Sequence, residues 1–270
     1  MSLAPLASCP APVLAAVQLV LTDIDDTLTL HGRLPAAAYQ ALTDLRAAGC
    51  HIVPITGRPA GWCDLIARQW PVDGVVGENG AFAFRYDAAA RRMIRIYAQP
   101  ADERSKNSVR LRAVADEVLK DFPGAAFAAD QAYRDIDVAI DFCEDVPPLP
   151  LAAAQAIAAR FQLAGAQAKV SSIHVNAWFG NHDKLTMTRR FLAEALDIRL
   201  ETVLETIAFC GDSPNDAPMF SAVPFGIGVA NVKAFSSMME ALPAYVTEAE
   251  GGEGFAEFAR AVLAAKGRAA

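Results

Sequence analysis

Short apolar runs that stop abruptly on polar clusters constrain this chain more than any other feature. Ala16-Val17-Gln18-Leu19-Val20-Leu21-Thr22 halts at Asp23, and His51-Ile52-Val53-Pro54-Ile55 halts at Thr56-Gly57-Arg58. Branched runs this short suit strands buried on both faces of a parallel sheet. Between them, Pro35 to Gly49 places Ala36, Tyr39, Leu42 and Leu45 at helical spacing, with proline at the start and glycine at the stop. Pro59 to Trp70 reads as a second helix and Val72 to Val76 as a third strand. Strands alternating with helices predict right-handed parallel crossovers.

The texture changes near residue 81. Ala81 to Tyr86 and Met93 to Tyr97 alternate around a loop, as an antiparallel hairpin does. A polar-faced helix follows over Arg104 to Lys120, then a strand over Asp137 to Phe142, a helix over Leu151 to Leu163 and alternating strand texture from Ala168 to Phe179. Near Asp183 the strand–helix pattern returns: a helix to Leu196, a strand over Thr206 to Cys210, a strand over Phe225 to Val229, helices over Val232 to Leu242 and Gly254 to Ala264, and a short strand at Tyr245. The expected fold is α/β, with a Rossmann-like parallel-sheet core built from 16–82 and 182–270 and an α+β unit, 83–181, inserted in the middle.

Four polar clusters carry the chemistry, and in an open parallel sheet ligands bind at the carboxyl ends of strands. In Asp23-Ile24-Asp25-Asp26-Thr27, two carboxylates at i and i+2 can project into one crevice. One can attack phosphorus and the other can protonate the leaving alcohol; a solvated turn is the competing reading. A carboxylate approaching a phosphate dianion meets repulsion that Mg²⁺ would relieve. Thr56-Gly57-Arg58 at a helix start can cradle phosphate, or merely cap the helix. Lys184 stands just before a helix, where a solvated surface lysine is the plainer reading. In Gly211-Asp212-Ser213-Pro214-Asn215-Asp216, two aspartates four apart form an oxygen site suited to Mg²⁺, and Asn215 adds a neutral donor.

The charge balance agrees with a local metal. A net charge of -7 repels nucleic-acid backbones and anionic lipid, so neither is an expected partner, and a phosphate ligand needs concentrated positive charge. Five dispersed cysteines contain no CxxC pair, which argues against a zinc ribbon or a redox site; Cys210, in a strand, reads as a core residue. No run is long enough to span a bilayer. Leu6-Ala7-Ser8-Cys9 faintly resembles a lipoprotein cleavage box, but no Lys or Arg precedes it. The expectation is a cytoplasmic protein with a loose N-terminal extension.

Asp-x-Asp-x-Thr, Thr-Gly-Arg, Lys and Gly-Asp-x-x-Asn-Asp, in that order, resemble the haloacid dehalogenase superfamily, and the long insert between the second and third motifs is similar to its C2-capped, Cof-type IIB branch and the related sugar phosphatases. The resemblance covers nearly the whole chain beyond residue 16. It implies a Mg²⁺-dependent phosphatase of a small phosphorylated metabolite. Asp23 would be the nucleophile and a metal ligand. Asp25 would be the general acid/base, its backbone carbonyl also on the metal. Thr56 and the Gly57 amide would hold the phosphoryl group, Lys184 would neutralise phosphate charge and orient Asp23, Asp212 and Asp216 would hold the metal, and Asn215 would touch phosphate or fix its loop. Glu78-Asn79-Gly80 resembles the family's short turn into the cap. Two departures stand out: Asp26 where the family often has glycine, and Lys184-Leu185 where it often has Lys-Gly.

Competing classes each lack something. Dehalogenases of this superfamily lack the second aspartate of the first motif. Phosphomutases go with a larger insert between the first two motifs than the roughly thirty residues here. A receiver-like signalling domain puts its acidic pair and its phosphorylated aspartate on different strands and has no large insert. In the inserted unit, Arg134, Asp135, His174, Asn176 and Asn181 are candidates for meeting the leaving group. His174 and Asn176 share a strand face with Trp178, which either joins them or packs as core.

Overall fold

The computed structural model describes residues 3–171 and 173–269. In chain order the elements are β1 (Ala4–Pro5), α1 (Ala11–Ala16), β2 (Leu19–Thr22), α2 (Ala36–Ala47), β3 (His51–Pro54), α3 (Ala60–Gln69) and β4 (Val75–Gly77). Then come β5 (Phe82–Asp87), β6 (Arg92–Tyr97), α4 (Ala101–Asp121), β7 (Ala126–Phe127), β8 (Val138–Asp141), α5 (Leu151–Leu163), β9 (Gln167–Val170) and β10 (His174–Trp178). The chain closes with α6 (Lys184–Leu196), β11 (Ile207–Gly211), α7 (Ala217–Ala222), β12 (Gly226–Gly228), β13 (Tyr245–Val246) and α8 (Gly251–Ala269). Proline sets five of the helix starts among the described residues: Pro10, Pro35, Pro59, Pro100 and Pro150 each sit extended at the N-cap of α1, α2, α3, α4 and α5, with no side-chain cap bond. The locked proline φ suits that position, and the missing N–H costs nothing there.

The core sheet runs β1-β13-β12-β11-β2-β3, every pairing parallel. An isolated parallel bridge, Ile55 to Val76, carries it on toward the antiparallel β4-β5-β6 sheet. A separate antiparallel sheet, β7-β8-β10-β9, has its own hydrophobic centre with α4 and α5, built around Leu111, Ile140, Phe161 and Val175. Buried residues of the β5–β6 hairpin, Phe82 and Ile96 among them, pack instead into the two clusters of the parallel core. The α/β core with an added α+β unit is therefore the observed architecture.

Two expectations fail. The N-terminal extension is not loose: β1 pairs with β13 at the sheet edge, where Pro5 breaks no central ladder. Leu6, Cys9, Leu14 and Val17 are buried in the same cluster as α8 residues Phe255 and Phe258. Three prolines in the first twelve residues disguise the segment as a linker. The helix expected over Val232 to Leu242 is two short 3₁₀ stretches, Ala230–Ala234 and Ser236–Met238. Ser236 Oγ donates to Lys233 O at 2.9 Å, closing the backbone locally in place of a continued helix.

Trp178 packs as core: it is buried, its indole N–H donates to His182 O at 3.2 Å, and its ring stacks on His182 at 5.7 Å. Among the described residues no helix is long and apolar enough to cross a membrane.

Candidate active site

β2 and β11 are paired neighbours, and the chain leaves them toward opposite sides of the sheet, β2 to β3 and β11 to β12. Such a reversal opens a crevice at the strands' carboxyl ends. The Asp23 N–H donates to Cys210 O at 2.8 Å, which sets Asp23 beside the loop that begins at Gly211. After Asp23 the chain folds back tightly, with the N–H groups of Thr27, Leu28 and Thr29 all directed at Ile24 O. Asp26 makes this turn with φ 56°, a left-handed conformation. That is the conformation glycine would supply; Asp is among the side chains that tolerate it. Its Oδ1 accepts from His31 N at 3.2 Å and its carbonyl from Asn231 Nδ2 at 2.9 Å.

Asp23, Asp212 and Asp216 bring three buried carboxylates together, with one oxygen of each within 4.8 Å of the others. Lys184 Nζ lies 2.7 Å from Asp23 Oδ1 and 2.8 Å from Asp216 Oδ1. Burial alone would lower the lysine, but the two carboxylates hold it above its ordinary range. It starts α6, whose N-cap Asp183 accepts from Thr186 N at 2.7 Å. Leu185, in place of a glycine, simply packs against the second core cluster. Asp216 Oδ2 accepts from the N–H groups of Asp212 and Ser213 at 3.1 and 3.3 Å, and Thr27 Oγ1 donates to Asp212 Oδ1 at 3.3 Å. Burial, with the nearby Asp216 and Asp25 carboxylates, pushes Asp23 up to about 8 despite Lys184, and burial and the same crowding raise Asp212. Three buried carboxylates against one ammonium leave an excess of negative charge, so the donor set fits a divalent cation.

Asp25 is held by a different partner from the triad: its Oδ1 accepts from Arg58 Nε at 2.9 Å. Thr56 is buried, and its Oγ1 accepts from Arg58 N at 3.0 Å, so the Thr-Gly-Arg turn closes on itself. Asp23, Asp25, Gly57 and Asn215 line a narrow crevice, and the inserted unit adds Arg134, His174 and Asn176 to its wall. The structure thus gathers these seven residues around one opening; Thr56 adjoins it in sequence through Gly57 and Lys184 through its contact with Asp23. Of the other candidates, Asp135 accepts from Tyr97 Oη at 2.8 Å and Asn181 is exposed.

Sequence reasoning missed the ion network joining the two units. Arg58 donates to Glu144 Oε1 at 2.7 Å and reaches Asp130 Oδ2 at 3.5 Å, while Arg134 donates to Gly57 O at 2.9 Å and Asp137 Oδ1 at 2.8 Å. His174 Nε2 lies 2.9 Å from Glu144 Oε2, and Asn176 Nδ2 donates to Asp137 Oδ2 at 3.0 Å. Burial would raise Glu144, but His174 and Arg58 pull its carboxyl down to about 2. Glu78 accepts four backbone N–H bonds, from Ala60, Asp135, Ile136 and Asp137, at 2.7–3.0 Å. Glu78 stood in a recognised turn, and its lack of a nearby basic residue in sequence was the only hint that backbone would satisfy it. Asn231, which also donates to Asp212 Oδ2 at 3.1 Å, gave no signal.

Residues 20–107, which carry Asp23, Asp25, Thr56 and Gly57, match the profile of the haloacid dehalogenase-like hydrolases. The fold is that of solved hydrolases of this kind. A Plasmodium vivax HAD/COF-like hydrolase superposes with a TM-score of 0.67 at 16% identity, over 94% of this chain and 98% of that one. A Thermoplasma acidophilum protein gives 0.67 at 15% identity, over 92% and 98%. The sucrose-phosphatase of Synechocystis, solved with sucrose and phosphate, gives 0.63 at 17% identity, over 92% and 98%. No curated protein matches the chain. The matched segment is thus similar to haloacid dehalogenase-like hydrolases, and the fold of the whole chain is one it shares with a structure described as a HAD/COF-like hydrolase.

Proposed function

We propose that this chain is a Mg²⁺-dependent phosphomonoester hydrolase of a small phosphorylated metabolite, working through an aspartyl-phosphate on Asp23. The observation that carries the reading is the Asp23–Asp212–Asp216 triad with Lys184 inserted between two of its members. The three carboxylates would hold Mg²⁺, with the Asp25 backbone carbonyl; when bound, it supplies charge neutralisation for the phosphoryl group approaching Asp23.

Asp23 attacks phosphorus, forming the acyl phosphate and breaking the bond to the alcohol oxygen. Asp25 donates a proton to that oxygen, then takes one from the water that hydrolyses the acyl phosphate. Its carboxyl is aimed by Arg58. Gly57 N–H and Thr56 hold the phosphoryl oxygens, Asn215 stands at the crevice rim, and Lys184 orients Asp23 from below. His174, Asn176 and Arg134 line the crevice from the inserted unit and shield the reacting groups from bulk water, leaving room for the one water that hydrolyses the acyl phosphate. We take the inserted unit as a cap and the enzyme as cytoplasmic; buried Cys9, Cys50, Cys63 and Cys210 form no disulfide, which suits a reducing compartment. A sugar phosphate is the substrate class supported by likeness to the sucrose-phosphatase.

Phosphate release from a panel of phosphomonoesters tests this. Asp23→Asn should abolish turnover with the fold intact, because the amide is nearly isosteric but a poor nucleophile. EDTA should silence the enzyme and Mg²⁺ restore it. Undiminished turnover by the Asn variant would remove the mechanism.

A further inference from the structure

The crevice beside Asp23 holds about 20 Å³, room for little beyond one water-sized group. A phosphomonoester must place the rest of its alcohol elsewhere. A second cavity, of about 520 Å³, shares Asp25 and Arg58 with the crevice. It therefore adjoins the residue assigned to the leaving oxygen. Trp62, Leu65, Ile66 and Trp70, on and just after α3, make one wall; Leu34 and Tyr133 face them. Among the described residues its polar lining is Asp25, Arg58 and Thr29, with the hydroxyl of Tyr133 and the indole N–H groups of Trp62 and Trp70 carried on otherwise apolar side chains.

Three of these side chains are large, apolar and unusually open. Trp62 is 42% exposed, Leu65 49% and Tyr133 59%. Contiguous exposed apolar surface marks a binding site more often than a bare face. Its construction is that of a ligand site, apolar walls with a few convergent polar groups. The Arg58 guanidinium lies over the Trp62 ring at 4.4 Å, so the catalytic end and the aromatic wall touch. Gly61 lets the inserted unit close over the cavity: a Cβ there would lie 2.9 Å from Tyr133 Cβ. A third cavity, of about 290 Å³, also reaches Asp25 and Arg58 and is polar, with Asp26, His31 and Glu144 in its wall. From the leaving oxygen, then, an alcohol has a polar route and an apolar one.

We propose that the substrate's alcohol carries a flat aromatic or apolar group seated among Trp62, Leu65, Trp70 and Tyr133, with hydroxyls of the same alcohol turned to the polar cavity. The inference rests on the phosphomonoesterase reading and replaces a bare sugar phosphate with an alcohol that carries both hydroxyls and an apolar group. A small-molecule group fits better than a second copy of the chain, because the walls come from both units of one chain and converge on Asp25.

Ethyl phosphate and 2-phenylethyl phosphate test it, since both leave as primary alcohols of similar reactivity. The phenylethyl ester should show a KM lower by about tenfold or more, as apolar pockets discriminate small apolar increments. Leu65→Gln and Tyr133→Ser, both at exposed positions that tolerate polar side chains, should bring the ratio of the two KM values toward one. Equal KM values for the two esters with wild-type enzyme, or a ratio untouched by both variants, would overturn the proposal. Saturation-transfer NMR with 2-phenylethanol reads the cavity without turnover. Transfer to the ring protons that disappears in Leu65→Gln supports the proposal even if no ester is hydrolysed, and the absence of transfer from wild-type protein overturns it. A dimer in sedimentation that both variants dissociate, with no ester preference, would assign the surface to self-association instead.

Discussion

Glu78→Gln isolates the contact that ties the inserted unit to the core. Glu78 is fully buried, and each of its oxygens accepts two backbone N–H groups: Ala60 and Asp135 on one, Ile136 and Asp137 on the other. An amide nitrogen accepts nothing, so whichever way Gln turns, two buried N–H groups lose their partner. At about 1–3 kcal/mol for each orphaned group, the loss is about 2–6 kcal/mol. For a chain of this size that corresponds to roughly 5–15 °C in Tm. Calorimetry should show the drop, and should show it in the transition that separates the segment around Asp135 from the core, since the transition need not be two-state.

The pH dependence has a definite sign. Burial and the Asp137 carboxylate push Glu78 up to about 8 from an ordinary 4.5. The folded chain keeps a proton that the unfolded chain releases, so this stability is present below pH 4.5 and fades as pH rises toward 8. Gln has no such proton. The deficit of the variant should thus be largest near pH 5 and shrink toward pH 8. A Tm within about 2 °C of the parent at pH 5 would refute the hydrogen-bond count, because even one orphaned donor costs more than that.

Two further outcomes are expected. Gly211→Ala puts a Cβ 2.6 Å from Asp216 Oδ2, displacing the carboxylate that Lys184 and two N–H groups hold; kcat should fall at least about tenfold while the fold survives, as small displacements at a reacting centre are costly. His182 is buried against Trp178 with neither ring nitrogen hydrogen-bonded, and burial lowers it to about 4. Neutral imidazole in the fold means stability held above pH 6.5 and lost as pH falls toward 4, about 2 kcal/mol by pH 5; His182→Phe should lose less Tm than the parent between pH 7 and pH 5.

Legibility in the sequence followed the range of the interaction. The parallel core was readable because buried strands and their polar ends are local patterns: Leu19 to Asp23 and Ile207 to Asp212 carry strand, stop and carboxylate within a few residues. Lys184 was readable only through motif order, since nothing local distinguishes it from a surface lysine. The N-terminal segment was misread because its burial depends on α8, more than two hundred residues away, while its prolines announce a loop. Asp26 shows the reverse case: a departure from glycine that the left-handed turn accommodates through an aspartate able to bond to its own loop.

Glu144 and Asp130 were invisible for a further reason, and it bears on how the chemistry is controlled. Each lies on the inserted unit and, besides a partner there (Arg134 for Asp130, His174 for Glu144), meets Arg58 across the gap between units. Arg58 is nearly buried, so its charge needs partners from wherever it can find them. It finds Asp25 on the core and Glu144 and Asp130 on the insert. Moving the insert away would strip the guanidinium of two carboxylates and open it to water, leaving Asp25 as its one ion partner in this network. The orientation of the proposed proton donor is thereby tied to the position of the unit that roofs the crevice. Glu78 and Arg134, which join backbone of one unit to side chains of the other, hold the same closed arrangement from the opposite side. Arg58, the residue that holds the proposed proton donor, is therefore fixed on three sides while the insert covers the crevice and by Asp25 alone in this network once it moves away.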